Sequence, residues 1–316
     1  MAIIYKDGQD IPSSVRGTAT ALGNFDGVHR GHLYLFRQLR ESFPNVPLSV
    51  VTFEPHPRQF FFPGNPPFRL TDEDEKKAAL TEAGIQYIFQ IQFDKQLAAQ
   101  RPKEFVHEIL HKRLGICHVT CGEDFAFGYH RTGNADFLKT EGKTLGISVS
   151  TEKPLQDEQG VISSSRIRHL LRDGKPEQAA ELLGRVWSIQ GFVQHGDQRG
   201  RTIGFPTANI DLADHLEPMR GVYAVRITLP SGKIYQGVGN IGYRPTVNNI
   251  PTSRLEVFIF DFDQNIYGQE IKVELHHFLR PEQRFSDLEA LTNQIRQDVK
   301  MAKQYFSIEN QINIVG

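Results

Sequence analysis

At Gly184 the sequence changes texture, and that break constrains the fold more than any single motif does. Upstream of it, from Thr18, short apolar runs alternate with amphipathic stretches. Thr18-Ala-Thr-Ala-Leu22, Leu48-Ser-Val-Val-Thr-Phe53, Tyr87-Ile-Phe-Gln-Ile91, Cys117-His-Val-Thr-Cys121 and Ile147-Ser-Val-Ser-Thr151 have the length and make-up of buried strands. Between them, one helix should start at Thr71, carry Asp72, Glu73, Asp74 and Glu75 in its first turn, and stop at Gly84. Acids there complement the positive end of the helix dipole, and glycine accepts the left-handed capping conformation. A second should run from Pro102 to Gly115, with Phe105, Val106, Ile109, Leu110 and Leu114 on one face. Alternating strands and helices imply a parallel sheet wrapped by helices.

Downstream, strand-like runs follow one another directly: Trp187 to Gln194, Val222 to Leu229, Ile234 to Val238, Leu255 to Asp261 and Ile271 to Phe278. Leu229-Pro-Ser-Gly-Lys233 reads as a hairpin turn. This pattern predicts a small antiparallel barrel. A last helix, from about Phe285 to Phe306, sets Leu288, Leu291, Ile295, Val299 and Ala302 on one apolar face. The expected division is therefore an α/β domain over 1–184 and a barrel with a C-terminal helix over 185–316.

A chain of 316 residues is comfortable as two domains. Its 37 acidic and 36 basic residues nearly cancel, so no global field draws in nucleic acid or an anionic membrane, and small-molecule substrates are expected instead. No apolar run approaches the roughly 18 residues of a membrane span, and no secretory leader is visible, so cytoplasm is the expected compartment. Cys117 and Cys121 form no disulfide framework; with no further ligands nearby they read as reduced residues of a strand near the core rather than a zinc site.

The most informative stretch is Gly23-Asn-Phe-Asp-Gly-Val-His29-Arg-Gly31-His32, between the first predicted strand and the first predicted helix. In an open parallel sheet, ligands bind at the carboxyl ends of strands near a switch point. Gly23 and Gly27 permit a tight turn, and Gly31 leaves no side chain where a ligand would sit close. His29 and His32 share one helical face beside free backbone N–H groups, an arrangement suited to phosphate. Taken alone, the pair has a lesser alternative, capping and solvating the helix start, and a weaker one still, a metal site, since no carboxylate partner accompanies it.

His-x-Gly-His after a first strand resembles the signature of the HIGH-motif nucleotidylyltransferases, whose partner signature is matched by Ile162-Ser-Ser-Ser-Arg166-Ile-Arg168. That resemblance implies a Rossmann-like domain performing adenylyl transfer, with ATP held by Gly23, Asn24, Phe25, His29, Gly31, His32, Ser164, Ser165, Arg166 and Arg168. Thr52-Phe-Glu-Pro-His-Pro57, Arg69-Leu-Thr71 and Gly122-Glu-Asp-Phe125-Ala-Phe-Gly128 resemble the flavin adenylyltransferase domain of bacterial riboflavin kinase/FAD synthetases. By that match Pro55, Phe61, Asp124 and Phe125 would face FMN. Ala126 stands where many relatives carry arginine, so no charge role falls there.

The second half carries no Walker loop. Gly142-Lys-Thr144 lacks the upstream glycine, because position 137 is Phe, and Gly196, Gly200 and Gly204 are not spaced as a dinucleotide fingerprint. What it has is His195-Gly-Asp-Gln-Arg-Gly-Arg201-Thr-Ile-Gly204-Phe-Pro206-Thr207-Ala-Asn209, which resembles the riboflavin kinase signature. Gly196, Gly200, Gly204 and Pro206 would form an arch whose N–H groups curl around the phosphates of ATP. Thr207 and Asn209 point to the same side of an extended segment, and two neutral oxygens suit a Mg²⁺ that takes its charge from the nucleotide. The family places a glutamate in a strand after Asn-Ile-Gly-Tyr-Arg-Pro-Thr246; here it is Glu256, expected to be the base for an alcohol nucleophile. Many relatives carry histidine where this chain has Phe258.

The resemblance spans Gly23 to about Tyr305 and implies two reactions. Riboflavin plus ATP gives FMN plus ADP in the barrel, with Glu256 catalytic; FMN plus ATP gives FAD plus pyrophosphate in the α/β domain, with His29 and His32 catalytic. It is compatible with a weak homo-oligomer. Two competing readings are a different acceptor for the first domain, such as nicotinate mononucleotide or phosphopantetheine, and a flavin-binding carrier without turnover.

Overall fold

A computed structural model describes residues 1–196, 200, 203–244 and 252–315. Asp197, Gln198, Arg199, Arg201 and Thr202 of the glycine arch, and Pro245 and Thr246 of the downstream motif, lie outside the described residues. Backbone contacts divide the chain into two compact units: Met1–Pro66 with Thr71–Ser163, and Pro67–Leu70 with Ser164–Gly316.

The first unit is built on β1 (Ile3–Lys6), β2 (Ala19–Leu22), β3 (Leu48–Glu54), β4 (Tyr87–Gln92), β5 (His118–Gly122) and β6 (Ser148–Glu152). They form one parallel sheet in the order β1-β4-β3-β2-β5-β6. Alternation sends neighbouring residues to opposite faces. Ala19, Ala21, Val50 and Ile88 pack with Leu35, Phe36 and Leu39 of α1 (Arg30–Ser42) and Leu80 of α2 (Glu73–Glu82). Leu22, Val51, Phe89 and Val119 face the other way, onto Phe105, Val106, Ile109, Leu110 and Leu114. That helix, α3, runs as Pro102–Glu104 and then Phe105–Arg113 with π-type hydrogen bonding, and Gly115 closes it at φ 63°. A fourth helix, α4 (Ala135–Thr144), leads into β6.

The α2 helix begins two residues later than the acidic run suggests. Asp72 is the N-cap and exchanges hydrogen bonds with Glu75, an acidic capping box. Thr71 is held outside the helix because its hydroxyl is engaged elsewhere, as described below.

The second unit begins with α5 (Ser164–Arg172) and α6 (Pro176–Leu183), the latter ended by Gly184 at φ 80°. Six strands follow: β7 (Ser188–Phe192), β8 (Thr207–Asp211), β9 (Gly221–Thr228), β10 (Ile234–Arg244), β11 (Thr252–Ile259) and β12 (Glu270–Pro281). All neighbours are antiparallel, in the order β7-β12-β9-β10-β11-β8. A bridge between Gln194 and Asn209, with the Gln194 N–H donating to the Asn209 carbonyl at 2.8 Å, joins the two outer strands and closes the barrel. The expected hairpin forms, with Gly232 at φ 80°. The last helix, α7 (Leu288–Val315), lays Ala302 and Phe306 on Val222, Ala224, Val238 and Phe260 of the outer face. It starts three residues later and ends nine later than the apolar spacing implied. Among the described residues no helix is long and apolar enough to cross a membrane.

Candidate active sites

The chain passes from β2 to β3 and β4 on one side of the sheet and returns to β5 on the other, so the switch point lies at the carboxyl ends of β2 and β5. The loop Gly23–His29 leaves β2 there. Its backbone is unusual: Phe25, Gly27 and Val28 all have positive φ, at 51°, 85° and 42°. For Phe and Val that region is costly, so something must hold the loop in place. Part of the hold is Thr71, whose hydroxyl accepts the Gly27 N–H (3.2 Å) and donates to Asp26 Oδ1 (3.5 Å). Asp26, buried, also accepts the Thr71 N–H at 3.3 Å, and the Thr52 hydroxyl donates to the Asn24 carbonyl at 3.1 Å.

His29 is the N-cap of α1, and its N–H donates to Nδ1 of His32 at 3.3 Å. The two rings stack with centroids 3.7 Å apart, and Phe25 meets the His32 ring edge-on at 5.2 Å. Because Nδ1 accepts, neutral His32 carries its proton on Nε2, which makes that atom a donor. Gly31 also makes a close approach within the protein. A Cβ there would come within 3.1 Å of the His29 ring and of the Ile162 carbonyl, so the bare backbone serves protein packing that fixes the imidazole.

The residues expected to face FMN also lie past strand carboxyl ends. Pro55 follows β3 and is exposed; exposed Asp124 and half-buried Phe125 follow β5. Phe61, 57% exposed, forms an edge-to-face cluster with Phe60 and with Phe93 beyond β4, at 5.3–5.6 Å. Phe125 stacks on Phe127 at 5.6 Å, and half-buried Ala126 sits in a short ribbon with Gly133–Asn134. Ser164, Ser165, Arg166 and Arg168 lie on α5, in the second unit. Arg168 is buried, donates through Nε to the Phe68 carbonyl at 2.8 Å and lies over the Phe68 ring.

In the barrel, register sets the second site. Asn209 of β8 and Asn240 of β10 both pair with Glu256 of β11, and Thr207 pairs with Phe258. Directly opposed residues project to the same face, so Thr207, Asn209, Glu256 and Asn240 share the outer surface. Asn209 is buried because the glycine arch lies on it. A side chain on Gly196 would collide with the Asn209 amide, and one on Gly200 would collide with the Phe205 carbonyl, 3.6 Å from the Thr207 hydroxyl. Gly204 turns at φ 85°, and exposed Pro206 leads into β8. His195, at the root of the arch, stacks on Tyr267 at 3.9 Å. Glu256 is exposed, and Phe258 meets Phe205 edge-on at 5.2 Å.

Several supporting residues were not singled out from the sequence. Asp26, Asn240 and Phe205 lay unremarked inside quoted motifs. Lys76 is buried and pairs with Glu54 at 2.5 Å, beside the end of β3; its only signal was its place as the first of two lysines directly behind four acids.

A parallel-sheet unit with a histidine-bearing loop at its switch point, followed by a closed barrel with a glycine arch, defines a nucleotidyltransferase unit fused to a kinase barrel. Comparison with known proteins agrees. The family model for FAD synthetase matches residues 11–166 and that for riboflavin kinase matches 183–306. A bifunctional riboflavin kinase/FMN adenylyltransferase of Haemophilus influenzae is 40% identical over 295 residues, covering 93% of this chain and 96% of that protein. Its counterpart in Escherichia coli K12 is 39% identical over 294 residues, covering 92% and 94%. A crystal structure from Streptococcus pneumoniae, described as a macrolide-efflux protein, matches with TM-score 0.84 at 31% identity, covering 96% of this chain and 98% of that one. The chain belongs to the bifunctional riboflavin kinase/FMN adenylyltransferase family.

Proposed function

We propose that this chain phosphorylates riboflavin at the barrel site and adenylylates the resulting FMN at the switch-point site, with kinase residues inside 185–316 and adenylyltransferase residues inside 1–184. The observation that carries the kinase half is the register that sets Glu256 opposite Asn209, one row from Thr207. The terminal ribityl hydroxyl of riboflavin attacks the γ-phosphorus of ATP, its proton passes to the Glu256 carboxylate, and ADP leaves. Gly196, Gly200, Gly204 and Pro206 shape the arch over the ATP phosphates. The side-chain oxygens of Thr207 and Asn209 are neutral and share one face under that arch, a donor set that fits Mg²⁺. When bound, Mg²⁺ supplies charge neutralisation for the phosphates.

At the other site, a phosphate oxygen of FMN attacks the α-phosphorus of a second ATP and pyrophosphate leaves. Gly23, Asn24, Phe25 and Gly31 frame the nucleotide, and His29 and His32 stabilise the growing negative charge, with Nε2 of His32 as donor. Ser164, Ser165 and Arg166 hold the departing phosphates, and Arg168 joins them while bracing the Phe68 segment. Pro55, Phe61, Asp124 and Phe125 receive the flavin, for which the exposed ring cluster at Phe61 is a suitable stacking surface.

A chromatographic time course with riboflavin, ATP and Mg²⁺ tests the reading. FMN followed by FAD is expected. Unchanged riboflavin would sink the kinase assignment, and FMN that never becomes FAD, even when FMN is supplied directly, would sink the adenylyltransferase assignment.

A further inference from the structure

We propose that Asn240 is a positioning residue of the kinase site, holding the Glu256 carboxylate in its proton-accepting form and orientation. This rests on Glu256 acting as the base. Glu256 has an amide directly opposite on both neighbouring strands, Asn209 on β8 and Asn240 on β10. Opposed residues of antiparallel strands bring their Cβ atoms to about 4.5–5.5 Å, within reach of a side-chain hydrogen bond. The two amides are not equivalent. The Asn209 nitrogen donates to the Thr207 carbonyl of its own strand at 3.4 Å and lies beneath Gly196. Its placement serves the arch.

Asn240 is half-buried, with apolar neighbours on the side away from Glu256. Val222, its partner on the other side, and Ala224, Val238, Phe258 and Phe260 are all aliphatic or aromatic, and most of this surface is covered by α7. Packing alone would favour another aliphatic residue at position 240. An amide is a neutral group that can donate to a carboxylate without forming a salt bridge that would suppress its basicity.

The charges around it sharpen the need. One row along, Arg254 pairs with Asp211 at 3.3 Å, so that cation is largely committed. Two residues beyond Asn240, bare Gly242 leaves room that the Glu282 carboxylate enters, and the Asn240 nitrogen lies beside the same space. The Glu282 carboxylate and the committed Arg254 thus occupy the same row beside Glu256, while Thr207 and Phe258 form the row on its other flank. A neutral donor across the ladder offsets the acidic neighbour and limits how far the carboxylate can swing.

The test uses the full chain carrying Asn240→Leu or Asn240→Asp, with FMN-to-FAD conversion on the same preparation reporting that the protein is folded. Removing the donor should lower kcat for FMN formation by about tenfold or more while KM for ATP and riboflavin stay within about twofold. Asn240→Asp keeps the shape but sets a like charge opposite Glu256, so it should do at least as much damage and move the acidic limb of the pH–rate profile to higher pH. A purely packing role predicts that this isosteric variant is nearly silent. Unchanged kcat in Asn240→Asp, or an effect on KM alone, overturns the proposal, and this variant decides if Asn240→Leu fails to fold. Glu256→Gln run alongside separates the two levels: if it leaves FMN formation intact, the base assignment itself has failed.

Discussion

His118 is buried in β5 with hydroxyls, and no carboxylate, on its ring nitrogens. Nδ1 faces Ser148 Oγ at 2.7 Å, Nε2 faces Thr120 Oγ1 at 2.9 Å and Ser150 Oγ at 3.1 Å, and the Phe43 ring covers it at 4.2 Å. Burial lowers its pKa from 6.5 to about 4. A histidine kept neutral in the fold but protonated in the unfolded chain makes stability fall with pH. The loss begins as pH drops through 6.5, grows until about 4, and then stops, because below that the folded state also binds the proton. The full effect is on the order of 3 kcal/mol. Urea midpoints at pH 7 and 4.5 should therefore diverge much less for His118→Gln than for the parent. Equal divergence would show that other groups set the acid limit. Cys121, on the same strand, is also buried, and its thiol is pushed up to about 11, which suits a reduced, inert residue.

Among the elements, α7 is attached through its apolar stripe and through ion pairs to the barrel, Arg226 with Glu309 at 2.8 Å and a more deeply buried pair nearer its start. Arg280 of β12 donates through Nε and Nη2 to the two carboxylate oxygens of Asp298 at 2.8 and 2.7 Å, and Asp298 is almost wholly buried. Removing one member of such a pair leaves an unpaired buried charge, so Asp298→Ala should cost about 3 kcal/mol or more, seen as a lower thermal midpoint. A change under about 1 kcal/mol would mean that the apolar stripe and the Arg226 pair hold the helix without it.

The helices and strands were legible where periodicity had uninterrupted apolar residues to work with. The five core residues of α3 were all recognisable, and so were five of the six strands of the parallel sheet. The extent of β10 was not. Glycines at 237, 239 and 242 hide its second half, yet each is there for contact. A Cβ on Gly237 would collide with the Phe258 carbonyl, and one on Gly239 would come within 3.0–3.1 Å of Leu255 and Val225. Strand β1, four residues long, was too short to read, and α7 runs past Phe306, the last buried residue among those described, because Ile308, Ile312 and Val315 carry the helical spacing on among polar residues that broke the reading off. At the sites, motif residues were legible as a set; the Thr71–Asp26 latch was not, because its two members are 45 residues apart.

For the molecule as a whole, the proposal assigns each reaction its own residues: Glu256 has no part in adenylyl transfer, and His32 has none in phosphorylation. His32→Ala should make FMN but no FAD, and Glu256→Gln should convert FMN to FAD but leave riboflavin untouched, each with at least about a hundredfold loss of the affected step. Mixed together, the two variants should restore conversion of riboflavin to FAD after a lag, because released FMN can diffuse from one protein to the other. No FAD from the mixture, with each single activity intact, would mean that FMN is not released to solvent.

The seam that closes the barrel runs through Asn209. Before the Gln194 bridge forms, β7 and β8 are two raw sheet edges, and unpaired edges are templates for adding foreign strands. Where it forms, Gly196 lies against the Asn209 amide and the two edges are held to each other at that point. Protection from aggregation and construction of the phosphate-binding arch are thus a single closing step, so selection against clumping during synthesis and selection for turnover act on the same few residues.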